Sequence, residues 1–260
     1  MLMYAVCLEK GGTGKSSIAV NLAVALHQRG LRTLLIDLDA QGHASRWLGI
    51  DVSTVHPEDS ILGVIRGRPL DTSAQLTEEG VHVLPAHPEM AGLPVALASA
   101  PNNGLFALRT ALANHARNGA RYDAVICDLP PARSPILATA LAAANRCLAP
   151  VQPEDLVIQA LAELNASVHF AQQVNPILPN VSIIRNRYAA RSAVDAVYDE
   201  MLRTQYGEQL LRTIIPMRAA IRESSGFRQS VFRYQGGDAT EVRTLFRQLA
   251  DEVLALDGRA

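Results

Sequence analysis

The sequence predicts an α/β fold, a mostly parallel central β-sheet with helices on both faces. Three observations predict it. Strand-like and helical patterns alternate from one end of the chain to the other. The strand-like runs are continuously apolar rather than alternating, as strands buried on both faces are. Several runs end in glycine or in acids, at the edge where parallel sheets open their ligand crevice. At 260 residues, the chain suits a single domain over residues 1–260. A chain of that size buries a sufficient core without disulfides or metals.

The elements follow in order. Residues 2–9 form an apolar run containing Tyr4 and Val6, then glycines, then a helical pattern over 15–29 that Gly30 caps. Residues 31–38 are strongly apolar and end in acids, with a helix expected over 42–48. Residues 81–84 make a short strand, and the Pro-, Ala- and Asn-rich stretch 85–104 reads as a connection. A helix over 105–118 precedes a strand over 122–128, a helix over 135–144 and a strand over 146–151. A long helix over 154–174, a strand over 180–184, a helix over 193–206 and a strand over 211–215 come next. An amphipathic helix over 240–256 closes the chain. The first strand opens at the N-terminus, so no helix-turn-helix extension is expected before it.

Composition bounds the function classes. The apolar fraction is 48%, the charged fraction 19% and the net charge −1, so any nucleic-acid or membrane attraction has to come from a local patch. Cys7, Cys127 and Cys147 stand alone in apolar runs, as buried structural thiols of a reducing cytoplasm do, and their spacing suits neither a disulfide framework nor a zinc site. Residues 1–9 are too few to span a bilayer. Of the 24 Lys plus Arg, two are lysine, Lys10 and Lys15, and the other 22 are arginine. A chain that uses Arg wherever a generic cation serves has kept Lys where a planar guanidinium does not fit.

Both lysines lie in the run Lys10-Gly11-Gly12-Thr13-Gly14-Lys15-Ser16-Ser17. A strand, a glycine-rich turn and a helix opening with Lys-Ser make the context of a phosphate-binding loop. Glycines let backbone N–H groups turn around phosphate oxygens, and the helix N-terminus adds its positive end. Lys15 supplies charge to the β- and γ-phosphates of ATP, and Ser16 supplies a hydroxyl to Mg2+. A match of this kind arises by composition alone roughly once in a thousand chains of this length, so a fortuitous turn is set aside. Two apolar strands complete the set. One ends in Asp37-Leu38-Asp39-Ala40-Gln41-Gly42, and the other, from Tyr122, ends in Asp128-Leu129-Pro130-Pro131. Asp128 is placed to hold Mg2+ through water.

The loop departs from the general pattern, because Glu9 stands where the first glycine belongs and Lys10 follows it. In this it resembles the deviant Walker A motif of the ParA/MinD-type ATPases. The run from Asp37 resembles that family's second-strand motif, with Ala40 in place of Pro, and the run from Tyr122 resembles its Walker B region. The resemblance covers nearly the whole chain. It implies that Lys10 reaches across an ATP-bound sandwich homodimer to the partner's nucleotide. It also implies that Asp39 positions the attacking water and that Asp37 stands in the magnesium shell. In relatives, residues at two later strand ends contact adenine, which implies Asn186 after 180–184 and Pro216 and Met217 after 211–215.

Several branches of that family share the loop. From Arg185 to Arg233, nine arginines face five acids, a local +4 in a chain of net −1. Such clustering is the electrostatic footprint of non-specific DNA binding through phosphates. The segment from Ile215 to Phe227 also resembles, loosely, a ParA segment whose neighbourhood binds DNA. The candidates are Arg218, Arg222 and Arg228, then Arg187 and Arg191. The closing helix has core-facing apolar spacing and balanced charge, so it is expected against the sheet rather than on lipid. The cysteines do not suit the iron–sulfur branch, and nothing suggests a glutaminase. The resemblance therefore implies a cytoplasmic, nucleoid-associated ParA-type ATPase with a ParB-like stimulating partner. A membrane-associated or metabolic ATPase of the same class, acting without DNA, stays open as the alternative.

Overall fold

The computed structural model describes residues 1–99, 104–117, 122–154, 156–189 and 193–259. Its strands are β1 (Leu2–Val6), β2 (Thr33–Asp37), β3 (Gln75–Leu76), β4 (His82–Leu84), β5 (Ala124–Asp128), β6 (Arg146–Val151), β7 (Ser182–Tyr188) and β8 (Leu210–Pro216). They form one sheet in the order β3-β4-β2-β5-β1-β6-β7-β8. All pairings are parallel except that of the short edge strand β3 with β4. Every residue of β1, β2, β5 and β6 is buried, which is why their runs read as continuously apolar.

The helices are α1 (Lys15–Gln28), α2 (His43–Trp47), α3 (Ile61–Ile65), α4 (Leu93–Ser99), α5 (Ala107–Arg117), α6 (Pro135–Ala143), α7 (Val157–Gln172), α8 (Ala193–Tyr206), α9 (Ala219–Gly226) and α10 (Ala239–Leu256). Two apolar clusters fill the two faces. One joins α1 and α10 to the sheet through Ile18, Leu22, Phe246 and Val253. The other, on the opposite face, gathers α3 to α8 with Met90, Leu112, Leu141, Leu164 and Leu202. Gly30 ends α1 in the left-handed conformation, φ 84°, with its N–H on the His27 carbonyl and that of Leu31 on the Leu26 carbonyl. The closing helix α10 buries Val242, Phe246, Leu249, Val253 and Leu254 against the sheet, as its spacing predicts. Among the described residues, no helix is long and apolar enough to cross a membrane.

Three differences from the sequence reading have physical causes. The strand expected over 180–184 runs on to Tyr188, so Asn186 and Arg187 lie within it rather than after it. The expected connection 85–104 holds the helix α4, with only Leu93 and Leu97 buried. The short helices α3 and α9 were not anticipated, since five and eight residues barely complete one or two helical periods. The cysteines are all buried and unbridged, with Cys7 and Cys147 sulfurs 3.2 Å apart.

Candidate nucleotide site

The order of the sheet brings the three motifs together. β2, β5 and β1 are neighbours, so the loop after β1 and the acids ending β2 and β5 share one edge of the sheet. This is the carboxyl edge, near the point where successive crossovers turn to opposite sides. Gly12 and Gly14 take left-handed conformations, φ 79° and 86°. A Cβ at Gly14 would collide with the Asn186 amide nitrogen, so the position needs glycine on two counts. Gly14 is also the N-cap of α1, and no side chain caps it. The first N–H groups of α1 thus keep their capacity for an anion.

Lys15 is buried, and its Nζ donates to the Lys10 carbonyl at 2.8 Å. Burial holds its ammonium below the usual lysine range, while Asp128, Cys7 and Asp39 pull the other way. A cleft of about 820 Å3 opens beside it, lined among others by Gly12, Gly14, Lys15, Ser16, Ser17 and Asp39. The Thr13 hydroxyl is buried without a hydrogen-bond partner. Gly11 is exposed at the loop's outer turn.

Asp37 and Asp128 face each other in register across β2 and β5, both fully buried. Asp37 accepts from Ser45 N at 2.8 Å, Ser45 Oγ at 2.7 Å and Asp39 N at 3.2 Å. Burial still pushes its carboxyl up to about 6. Burial raises Asp128 well above the carboxylate range, Asp37 and Asp39 add to that, and Ser16 and Lys15 oppose it. Neither Asp128 oxygen has a hydrogen-bond partner of sound geometry. Two buried carboxylates with two orphaned oxygens, beside a serine hydroxyl, fit a hard divalent cation such as Mg2+. Asp39 stands at the cleft wall, half-buried, with one oxygen on Gln41 N at 2.9 Å.

Lys10 lies outside this cleft. Its Nζ pairs with Glu154 at 3.0 Å, with 23% of the side chain exposed. Glu9 accepts from Ser167 Oγ at 2.8 Å and so ties the start of the loop to α7. A second cleft of about 570 Å3 adjoins the first and is lined by Trp47, Asn186, Pro216, Met217, Ala219 and Ile221 among others. The three expected adenine residues therefore do meet in one place. Asn186 is buried there, and its Nδ2 is engaged by the Thr13 carbonyl at 2.8 Å.

Of the arginines expected for DNA, Arg187, Arg218 and Arg222 line the second cleft and Arg187 and Arg228 the first, but several arginines of this region are engaged within the fold. Arg218 pairs with Glu241 at 2.7 Å and with Asp238 at 3.3 Å. Arg185 and Arg203 share Asp199, and Arg233 pairs with Glu78. Arg187 donates to the Gly12 carbonyl at 2.8 Å, on the phosphate loop itself. Arg222 and Arg228 are exposed on the rims of the two clefts and make no ion pair among the described residues. Arg191 lies outside the described residues. Sequence reasoning missed Ser45, Gln152, Glu154 and Trp47. The one usable signal was Trp47, the only tryptophan of the chain, just beyond the Asp37–Asp39 motif.

Comparison with known proteins agrees with this geometry. The model of the AAA domain family matches residues 1–180. The chain is 34% identical to the chromosome-partitioning ATPase Soj of Thermus thermophilus, over 96% of this chain and 94% of that one. It is 32% identical to the chromosome partitioning protein ParA of Myxococcus xanthus, over 88% and 81%. Its fold matches the cobyrinic acid a,c-diamide synthase of Mycobacterium smegmatis, solved with an ATP analogue and magnesium. The TM-score is 0.82 and the identity 26%, over 98% of this chain and 94% of that one. A phosphate loop, two strand-end carboxylates and full-length similarity thus lead to one assignment: the chain belongs to the ParA/MinD-type P-loop ATPases.

Proposed function

We propose that this chain is a ParA-type partition ATPase of one domain, working in the cytoplasm on the nucleoid. ATP binding joins two copies into a sandwich dimer, and the dimer binds DNA without sequence preference. Hydrolysis to ADP and phosphate, stimulated by a ParB-like partner, releases it and so positions a plasmid, a chromosome or another cargo. The observation that carries this reading is Lys10. It pairs with Glu154 and is not among the residues that line the cleft beside its own Lys15, which supports a role toward a second copy. The similarity to Soj and ParA over nearly the whole chain supports the partition role.

Within the site, Gly11 to Ser17 enclose the phosphates, with Lys15 and the α1 N-terminus carrying the positive charge. Ser16, Asp37 and Asp128 would hold Mg2+, which would supply positive charge to offset that of the nucleotide's phosphates. Asp39 orients the attacking water from the cleft wall. Lys10 of the second copy adds charge where it develops in the transition state. Asn186, Pro216 and Met217 receive the base, with Trp47 closing the same cleft. Arg222 and Arg228 are the arginines best placed for DNA phosphates, since Arg218 is held by two acids.

DNA retention at low salt, with MgATP, MgADP and no nucleotide, tests the reading. Retention with MgATP alone is expected. Binding that ignores the nucleotide, or no binding at all, would sink it; nucleotide-dependent binding to anionic vesicles in its place would favour a membrane role. Lys10→Ala is expected to abolish ATP-dependent dimers and stimulated turnover while the fold stays intact. Unchanged turnover would remove the cross-dimer role.

A further inference from the structure

The end of β7 carries a backbone irregularity that composition does not explain. Arg187 has φ 58°, a left-handed conformation that a side chain with a Cβ disfavours. The pairing of β7 with β8 slips at the same place, between Asn186 and Tyr188. A bulge of this kind re-aims side chains, and such strain persists where the surroundings hold it. Here it turns two consecutive side chains onto the phosphate loop. Asn186 Nδ2 donates to the Thr13 carbonyl at 2.8 Å, and Arg187 Nη1 donates to the Gly12 carbonyl at 2.8 Å. From the end of β6, Gln152 Nε2 reaches the same Gly12 carbonyl at 3.4 Å.

The consequence follows from peptide geometry. In a trans peptide the carbonyl of one residue and the N–H of the next point in opposite directions. Holding the Gly12 and Thr13 carbonyls toward β7 therefore turns the N–H groups of Thr13 and Gly14 to the opposite side of the loop. A glycine-rich loop would otherwise flip these peptides at little cost. We propose that Arg187 is a positioning residue that locks the phosphate loop in its anion-binding form, rather than a DNA contact. The inference rests on the reading of this loop as the nucleotide site.

Arg187→Gly is the informative variant, because glycine takes the left-handed backbone without strain and only the side chain is lost. Its melting temperature without nucleotide is expected to stay at or above that of the parent. Its Kd for MgADP and its KM for ATP are expected to rise about tenfold, the scale of one charge-assisted hydrogen bond, with a smaller change in kcat. DNA retention at saturating MgATP is expected to match the parent. Arg187→Lys, which keeps the charge and one donor, is expected to recover part of the affinity. Parental MgADP affinity in Arg187→Gly would overturn the proposal. So would loss of DNA retention with nucleotide affinity intact, which would return Arg187 to the DNA. A parent protein that fails to bind MgADP would overturn the loop reading itself, and this inference with it, which tells the two failures apart.

Discussion

Replacing Asp128 with Asn removes a buried charge at almost constant shape, and its effect on the nucleotide-free protein is worked out from its neighbour. Asp37 faces it across the sheet and has three hydrogen-bond donors, yet burial pushes its carboxyl from 3.8 up to about 6. At ~1.4 kcal/mol per pH unit, ionised Asp37 costs the fold ~3 kcal/mol. The sign is fixed by linkage. A carboxyl raised in the fold costs nothing below about pH 4, where both states are protonated; the cost grows as pH rises and is complete above about 6. Asp128 lacks the three donors that Asp37 has, with Ser16 and Lys15 alone opposing the shift, and burial raises it further still. An amide at that position carries no charge and can donate to Asp37. Asp128→Asn is therefore expected to stabilise the nucleotide-free protein by ~2–3 kcal/mol at pH 7.5, as replacement of a poorly compensated buried charge does. That corresponds to roughly 4–12 °C in Tm for a chain of this size. The gain should shrink toward pH 4. With MgADP the order should reverse, because the parent gains stability from the ligand and the variant does not. Thermal melts with EDTA across the pH range, then with MgADP, measure both. An unchanged or lower Tm for the variant at pH 7.5, or an undiminished response to MgADP, would refute the reasoning.

Three further outcomes are expected. Gly14→Ala places a Cβ against the Asn186 amide at φ 86°, and is expected to cost ~2–3 kcal/mol in strain and lost hydrogen bonding and to abolish MgADP binding; MgADP titration that matches the parent would count against it. Trp47, whose Nε1 donates to the Gln229 carbonyl at 2.7 Å, lines both clefts, so its emission is expected to change when MgADP binds; a flat titration with binding proved by calorimetry would remove Trp47 from the base site. Arg146 meets Asp257 at 2.7 Å and the Leu256 carbonyl at 3.1 Å, both at the end of α10. Arg146→Ala leaves Asp257 half of a buried pair and is expected to cost ~3 kcal/mol in urea unfolding; a loss below ~1 kcal/mol would mean that apolar packing alone holds the end of α10.

The sheet and its catalytic edge were legible because parallel strands buried on both faces write themselves as unbroken apolar runs, and because Asp37 and Asp128 end two of those runs. β7 was cut short for the same reason in reverse. Arg185 looked like the end of a strand, yet it is buried, with its guanidinium on Asp199 and on the Leu211 carbonyl at 2.9 Å. A buried, ion-paired arginine is invisible to a reading of hydropathy. Ser45 and Gln152 were missed because their roles depend on which strand ends lie side by side, and no local spacing encodes that. Lys10 and Lys15 were legible through the chemistry of substitution, since an arginine-rich chain leaves its lysines conspicuous.

The arginine-rich third was legible as composition and misleading as geometry. Its charge is local along the chain, but its partners come from elsewhere: Glu78 reaches Arg233 from beyond β3, and Asp238 and Glu241 reach Arg218 from the start of α10. A charge count over a window cannot see acids that the fold brings in from outside it. The surplus left for phosphates on one copy is therefore small, with Arg222 and Arg228 its clearest members. Non-specific DNA affinity rises steeply with the number of phosphates neutralised, because each contact releases condensed counterions. Under the proposed cycle, a single copy with few free arginines holds DNA weakly, and joining two copies turns the second set of contacts into an intramolecular event. Internal pairing of Arg185, Arg203, Arg218 and Arg233 would then be what lets the nucleotide govern DNA binding: a monomer with these arginines free would hold DNA whether or not ATP was bound.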